Sequence, residues 1–555
     1  MQIQYPLSMR KVQGICVGFL GHLYPPGIRL ARSEPDTRKI DLIERSGASQ
    51  KAARAGNIQY ITAEIPSMKN NIQLITYADR LGGGDIKTLH RLLKGPLAGL
   101  FGGVHILPFY YPIHGTDAGF DPIDHTKIDP CLGSWADIKE LGQDMDLMAD
   151  LIVNHVSSSS PQFLDYSEKG DASIYRDMFL TMSSIFPNGA TEADLLAIYR
   201  PRPGLPFSYT TLKNNQKRLL WTTFSKEQID INVTHPQGKA YLQSVLRTLH
   251  DNGISMVRLD AAGYAIKKPG SSCFMIPETF AFIEYLADRA ADLDIEVLVE
   301  IHSHFRRQIE IARQVDRVYD FALPPLVLYA ILSHTARYLK QWLEISPRNA
   351  ITVLDTHDGI GVIDIGADGT DPQSRPGLIP PEELDALVEK IHTNSNGQSR
   401  LATGVAASNL DHYQVNCTFY DALGRNERDY LLARAIQFFA PGVPQVYYVG
   451  LLAGENDMPL LAKSGVGRDI NRHYYMPEEI DRAIQRPVVQ SLFELIRFRN
   501  QHPAFNGSFG MPVTRDSGIT MRWDNGVDWA MLEVDFASGL YSISNSPFES
   551  LRLNG

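Results

Sequence analysis

The sequence predicts an α/β protein built on a parallel (β/α)8 TIM barrel, and three observations predict it. From Met68 onward, short β-rich apolar runs alternate with longer amphipathic stretches, the pattern of βα units that make a parallel sheet. Eight runs qualify as barrel strands: Gln73–Tyr77, Val104–Leu107, Asp150–Val153, Met256–Asp260, Glu296–Glu300, Arg317–Phe321, Ile351–Asp355 and Gln445–Tyr448. Several of them end in Asn154-His155, Asp260, Glu300 or His357-Asp358, and the C-terminal strand ends of such a barrel are where catalytic groups sit.

Taken in order, residues 68–153 carry the first part of the barrel. A long gap then separates the third strand from the fourth. It holds the Pro/Arg-rich Tyr199-Arg200-Pro201-Arg202-Pro203-Gly204, so residues 154–234 are expected to form an inserted domain. The barrel resumes over 235–360. A second excursion, 361–425, follows the seventh strand and is expected to cover the mouth as a lid. Residues 426–503 complete the barrel, and alternation such as Ile519-Thr520-Met521-Arg522-Trp523 predicts a small antiparallel β domain over 504–555. Residues 1–67 have no sustained period. Met9-Arg10-Lys11 before the run Ile15–Leu23 resembles a weak secretory signal, but Gly and His interrupt the run and no small-residue cleavage site follows. The expectation is that Met68 is the true start and that 1–67 is upstream sequence foreign to the native protein or a disordered extension.

The 555 residues carry a net charge of −10, which argues against a nucleic-acid groove or an anionic membrane surface. No stretch reaches the roughly 18–20 apolar residues of a membrane span. Four cysteines (Cys16, Cys131, Cys273, Cys417) form no CxxC pair, which fits a reducing cytoplasm better than a disulfide framework or a zinc site. Monomer and homodimer both stay open.

The chemistry is carried by three acids on three strand ends: Asp260 after Val257-Arg258-Leu259, Glu300 after Leu298-Val299, and Asp358 in Asp355-Thr356-His357-Asp358. Retaining glycosyl transfer needs one carboxylate to attack the anomeric carbon and a second, about 5–5.5 Å away, to protonate the leaving oxygen. Arg258 precedes Asp260 by two residues, so both side chains leave the strand on one face, and the guanidinium is expected to keep Asp260 ionised. Glu300 lies among Val297, Leu298, Val299 and Ile301, a setting expected to raise its pKa for acid/base duty.

These pieces resemble a known family. Asp150-Leu151-Ile152-Val153-Asn154-His155, Val257-Arg258-Leu259-Asp260, Glu300 and His357-Asp358 resemble the four conserved regions of the α-amylase superfamily. Longer pieces are similar to its sucrose phosphorylase group. They are the stretch from Gly115 to His125, then Tyr199 to Phe207, Thr352 to Ile360, and Gly467-Arg468-Asp469-Ile470-Asn471-Arg472. The likeness runs from Met68 to about Pro503.

The resemblance implies that Asp260 forms a β-glucosyl intermediate, that Glu300 protonates the departing fructosyl oxygen, and that Asp358 holds glucose hydroxyls and stabilises the transition state. It further implies that Asp117, His155, Arg258, His357 and Arg468 clamp the glucosyl unit, with Phe120 stacking beneath it. On the acceptor side it implies Tyr199, Arg202, Tyr264, His302 and the loop Asn409–Gln414, including Asp411, His412, Tyr413 and Gln414. Inorganic phosphate would be the acceptor, giving α-glucose 1-phosphate. No cofactor is implied, and the superfamily's calcium-binding pattern is not evident. His412 departs from the aliphatic residue expected of plain sucrose phosphorylases. Paired with Arg202, it points to sucrose 6-phosphate as preferred donor. Plain sucrose is the alternative, followed by glucosylglycerol or glucosylglycerate phosphorolysis, a purely hydrolytic α-glucosidase, and an inactive carbohydrate-binding barrel.

Overall fold

The computed structural model describes residues 68–115, 117–201, 204–368, 375–403, 414–546 and 549–551, all within the unit Glu64–Gly555. The expectation for residues 1–67 lies outside the described residues. Eight parallel strands close a barrel: β1 Gln73–Thr76, β2 Gly103–Ile106, β3 Asp146–Ile152, β4 Met256–Asp260, β5 Glu296–Val299, β6 Arg317–Asp320, β7 Ala350–Thr352 and β8 Val443–Tyr447. Each pairs with its neighbours in sequence, and β8 pairs with β1.

Side-chain alternation divides the strand residues between two cores. Leu74, Val104, Val257, Leu259, Val297 and Val299 belong to the large core shared with the surrounding helices. Met148, Met256, Leu298, Tyr319, Ile351 and Val443 form a separate cluster inside the barrel, with Met68 packed against it. Register sets Met256 beside Met148 and, two residues on, Arg258 beside Asp150. An apolar layer thus gives way to a charged one in the direction of the strand C-termini.

The helix Pro236–Asp251 leads into β4. Proline at its first position suits the unsatisfied N–H groups there. Leu242, Val245, Leu246 and Leu249 repeat at helical spacing and are buried, each contributing roughly 1.5–3 kcal/mol. Gly253, at φ 84°, lets the chain turn into β4. A charged residue at Leu249 would face the core and break this packing.

β7 ends at Thr352, three residues earlier than expected. The Thr352 carbonyl accepts from Gln437 Nε2 at 2.9 Å, and Asp355 turns away to pair with buried Arg434 at 2.7 Å. Between β3 and β4 the chain leaves the barrel. His155–Ser157 pairs with Gln228–Asp230, and a hairpin, Phe207–Thr211 with Lys217–Trp221, has its own small core around Phe186, Ile198 and Trp221. After β7, Ile360–Gly361 pairs with Gln414–Val415. The C-terminal antiparallel sheet follows from Ser508 and is fastened to the barrel by Trp523 Nε1, which donates to Phe439 O at 2.8 Å. Among the described residues no helix is long and apolar enough to cross a membrane, and Cys131, Cys273 and Cys417 are free thiols.

Candidate active site

The charged layer opens into a cleft of about 630 Å3 at the C-terminal ends of the strands. Its lining includes Asp117, Phe120, His155, Asp260, Tyr264, Glu300, His302, His357, Asp358, Gln414 and Arg468, all singled out from sequence. Arg258 lies beneath it. Arg202, Asp411, His412 and Tyr413 fall outside the described residues.

Arg258 is the hub. It is buried, and its Nη1 donates to Asp150 at 2.5 Å and to Asp260 at 2.8 Å, while Nη2 lies 3.9 Å from Glu300 Oε2. The first of these bonds follows from register, since Arg258 and Asp150 are paired on β4 and β3. His105 Nε2 supports Asp150 from β2 at 2.9 Å. Although Asp150 is buried, His105 and Arg258 hold its carboxyl down at about 2. Directly after Asp260, Ala261 adopts a left-handed backbone (φ 55°), uncommon for a residue with a Cβ. There its N–H donates to Glu300 Oε2 at 3.3 Å.

Two expectations need correction. Arg258 does bond to Asp260, but it does not keep that carboxyl in the ordinary range. Burial, opposed by Arg258 and assisted by the charges of Glu300 and Asp150, pushes Asp260 up to about 8. Asp260 and Glu300 approach the same guanidinium, Asp260 by a direct bond and Glu300 at 3.9 Å. Nor is Glu300 in an apolar setting: it faces Arg258, the Ala261 N–H and His302 Nε2, 3.7 Å from its Oε1.

Opposite this pair, Arg468 Nη1 donates to Asp358 at 2.5 Å and Arg472 Nη2 lies 3.9 Å away. Burial opposes ionisation of Asp358, but the Arg468 and Arg472 guanidiniums hold it well below the usual carboxylate range. His357 is driven down to about 3 by burial and is neutral, stacked on Phe120 at 5.0 Å. His155 is also depressed by burial. It meets Phe120 O at 3.0 Å and Gln228 at 3.1 Å, and Gln228 in turn donates to Asp117 at 3.3 Å. One carboxylate oxygen from each of Glu300 and Asp358 and a nitrogen of His302 lie within 4.8 Å of one another. The cleft can therefore hold a polyhydroxylated ring between fixed charges, with the Asp260 and Glu300 carboxyls beside it.

The outer wall is aromatic. Tyr264 packs against Phe274 at 4.7 Å and Phe224 at 5.2 Å, and Tyr199 stacks behind them on Phe274 at 4.5 Å. Tyr199 supports this wall from outside the lining.

Residues 98–311 match the family described as alpha amylase, catalytic domain. The chain is 59% identical over 479 residues to a sucrose phosphorylase of Agrobacterium vitis, covering 86% of this chain and 98% of that one. It is 52% identical to a sucrose phosphorylase of Bifidobacterium adolescentis, covering 87% and 96%. The chain belongs to the sucrose phosphorylase group of the α-amylase superfamily. The crystal structure of sucrose 6F-phosphate phosphorylase from Thermoanaerobacter thermosaccharolyticum superposes with a TM-score of 0.80 at 39% identity, over 87% of this chain and 97% of that one. Membership makes this phosphorylase a hexosyltransferase acting on small-molecule substrates.

Sequence reasoning missed Phe224, Gln228 and Asp364. Gln228 and Phe224 come from the excursion after β3 and gain meaning only when His155–Ser157 pairs with Gln228–Asp230. Asp364 carried no motif; only its position shortly after Asp358 hinted at it. Lys267 was also passed over. Its Nζ is buried between Asp230 Oδ2 and Asn154 Oδ1, each at 2.7 Å, and also meets the Tyr264 carbonyl.

Proposed function

We propose that this enzyme moves the α-glucosyl group of sucrose to inorganic phosphate with retention, through a covalent β-glucosyl ester on Asp260. The observation that carries this is the buried guanidinium that two carboxyls approach at the barrel mouth, Asp260 at 2.8 Å and Glu300 at 3.9 Å. Asp260 has the direct bond to Arg258, which favours the carboxylate a nucleophile needs, and Glu300, beyond bonding distance of that guanidinium, takes the acid role. Asp260 attacks the anomeric carbon as Glu300 passes its proton to the departing fructosyl oxygen. Phosphate then attacks the same carbon, its proton returns to Glu300, and Asp260 leaves as the carboxylate. Asp358, clamped by Arg468, holds the glucose hydroxyls. His155, His357 and Asp117 complete the pocket, and Phe120 packs under the sugar.

Sucrose as donor is supported by the two sucrose phosphorylase relatives and by the described acceptor side. There Tyr264, Phe224, His302 and Gln414 offer aromatic faces and hydroxyl partners, and among the described lining residues Arg468 is the sole Lys or Arg. Sucrose 6-phosphate is a second reading. It rests on Arg202 and His412, two donors suited to a phosphate on the fructosyl 6-position. Measuring kcat/KM for sucrose and sucrose 6-phosphate in phosphate buffer, with glucose 1-phosphate as the readout, tests both. Faster phosphorolysis of sucrose supports the first reading. A tenfold or greater preference for the phosphorylated donor, lost in His412→Leu, replaces it with the second. Free glucose as main product refutes both.

A further inference from the structure

Asp364 sits on the 3-10 turn Ile363–Ile365, beyond the strand pair that follows β7, and is fully buried. It is not itself among the residues that line the cleft. Its Oδ2 lies 3.0 Å from His302 Nδ1, and its Oδ1 accepts from Ser303 N at 3.0 Å and Gln308 Nε2 at 2.9 Å. Three bonds thus fix the carboxylate to the loop and helix that follow β5. The His302 ring is clamped from its face by Phe321, stacked at 3.8 Å and 17°. Gly361 closes the other approach: a Cβ there would stand 2.3 Å from Asp364 Oδ2 and 3.1 Å from His302 Nδ1. With Nδ1 committed to Asp364, Nε2 is the nitrogen that faces the cleft, 3.7 Å from Glu300 Oε1 and 3.1 Å from Gln414 Nε2; with that amide turned over, its oxygen accepts from an Nε2–H.

We propose that Asp364 is a positioning residue for the phosphate half-reaction: it holds His302 Nδ1–H toward itself, so that Nε2 carries a second N–H and presents a cation to the incoming phosphate beside Glu300. The chemistry asks for such a group. After the first half-reaction Glu300 has given up its proton and is anionic, so a phosphate dianion must approach a carboxylate. Asp260 is by then esterified and neutral, and Arg468 is spent on Asp358. A cation on the acceptor side offsets that repulsion, and a buried carboxylate behind an imidazole is the standard means of keeping one there.

The titratable groups facing His302 are Asp364, Glu300 and Asp358, and Asp320 at the end of β6 lies behind Asp364. Arg258 is on the far side of Glu300. Burial alone would depress His302, but Asp364, ahead of Glu300 and Asp358, carries it above its ordinary value. The positioning role rests on the reading of phosphate as acceptor, and the test separates the two.

In Asp364→Asn the amide is isosteric and turns its NH2 to Nδ1, leaving a neutral ring with the proton on Nε2. The expected result is a rise of about tenfold or more in the KM for phosphate, with glucosylation by α-glucosyl fluoride within about twofold of wild type. Protonated His302 is the active form, so phosphate-dependent kcat/KM falls as pH rises through its pKa. Losing the carboxylate moves that alkaline limb to lower pH by about one unit. The double variant Asp364→Asn/His302→Gln should match His302→Gln alone. A uniform loss in both half-reactions with an unmoved limb, or additive effects in the double variant, overturns the proposal. If Asp364→Asn does not fold, nitrogen-15 NMR of the wild-type histidines decides it. A doubly protonated His302 near pH 7 upholds the role, and a neutral ring protonated on Nε2 overturns it, whatever the acceptor proves to be. Absence of glucose 1-phosphate from the wild type refutes the phosphate reading by itself.

Discussion

Lys267 offers a demanding test of how the excursion after β3 is fixed to the barrel. Its ammonium is fully buried and joins three segments: Asn154 beyond β3, Asp230 of the strand Gln228–Asp230, and the turn after β4 through the Tyr264 carbonyl. Its Nζ also lies over the Trp221 ring, 5.7 Å from the centroid. Lys267→Met keeps the length of the stem and removes the charge. Asp230 keeps its bonds from Thr223 N and Oγ1 but loses its cation. Leaving one half of a buried pair uncompensated costs about 3–5 kcal/mol. The unfolding entropy of roughly 490 residues is ~1 kcal/mol/K at ~2.1 cal/mol/K per residue, so Tm should fall by about 3–5 °C. Because the Tyr264 backbone is released as well, KM for both donor and phosphate should rise more than kcat falls. Differential scanning calorimetry and initial rates measure both. A Tm within 1 °C of wild type would show that the ammonium does not fasten the three segments.

Glu300→Gln should lose turnover of sucrose, which needs a proton on its leaving oxygen, and retain glucosylation by α-glucosyl fluoride, which does not; equal losses on both remove Glu300 from the acid role. A chain beginning at Met68 should fold and turn over like the full one, because Met68 N already bonds to Glu296 Oε1 at 3.3 Å and its side chain packs under the barrel; a large loss of Tm on deletion would make residues 1–67 integral.

The barrel was legible because its strands are short apolar runs whose ends carry charge, and β4 was bounded to the residue, Met256–Asp260. Asp260 and Arg258 were legible together because a two-residue spacing on a strand fixes a shared face. The setting of Glu300 was misread for the converse reason. Val297, Val299 and Ile301 alternate to the helix side and join the outer core, so the apolar neighbours in sequence are not its neighbours in space. Leu298 does share its face but lies a layer deeper, inside the barrel. The end of β7 was misplaced because Asp355 answers to Arg434, 79 residues away in sequence. Asp364, Gln228 and Lys267 were invisible on similar grounds: an acid on a 3-10 turn, an amide on a short strand outside the barrel and a lysine in a loop look solvated until the partners that bury them are known.

Trapping the intermediate tests the central claim most directly. Glu300→Gln is incubated with α-glucosyl fluoride in the absence of phosphate, quenched in acid, digested and analysed by mass spectrometry. One glucosyl unit on the peptide bearing Asp260, discharged as α-glucose 1-phosphate when phosphate is added before the quench, is the result expected. No adduct, an adduct on another carboxylate, or release of the β-anomer would contradict retention through Asp260.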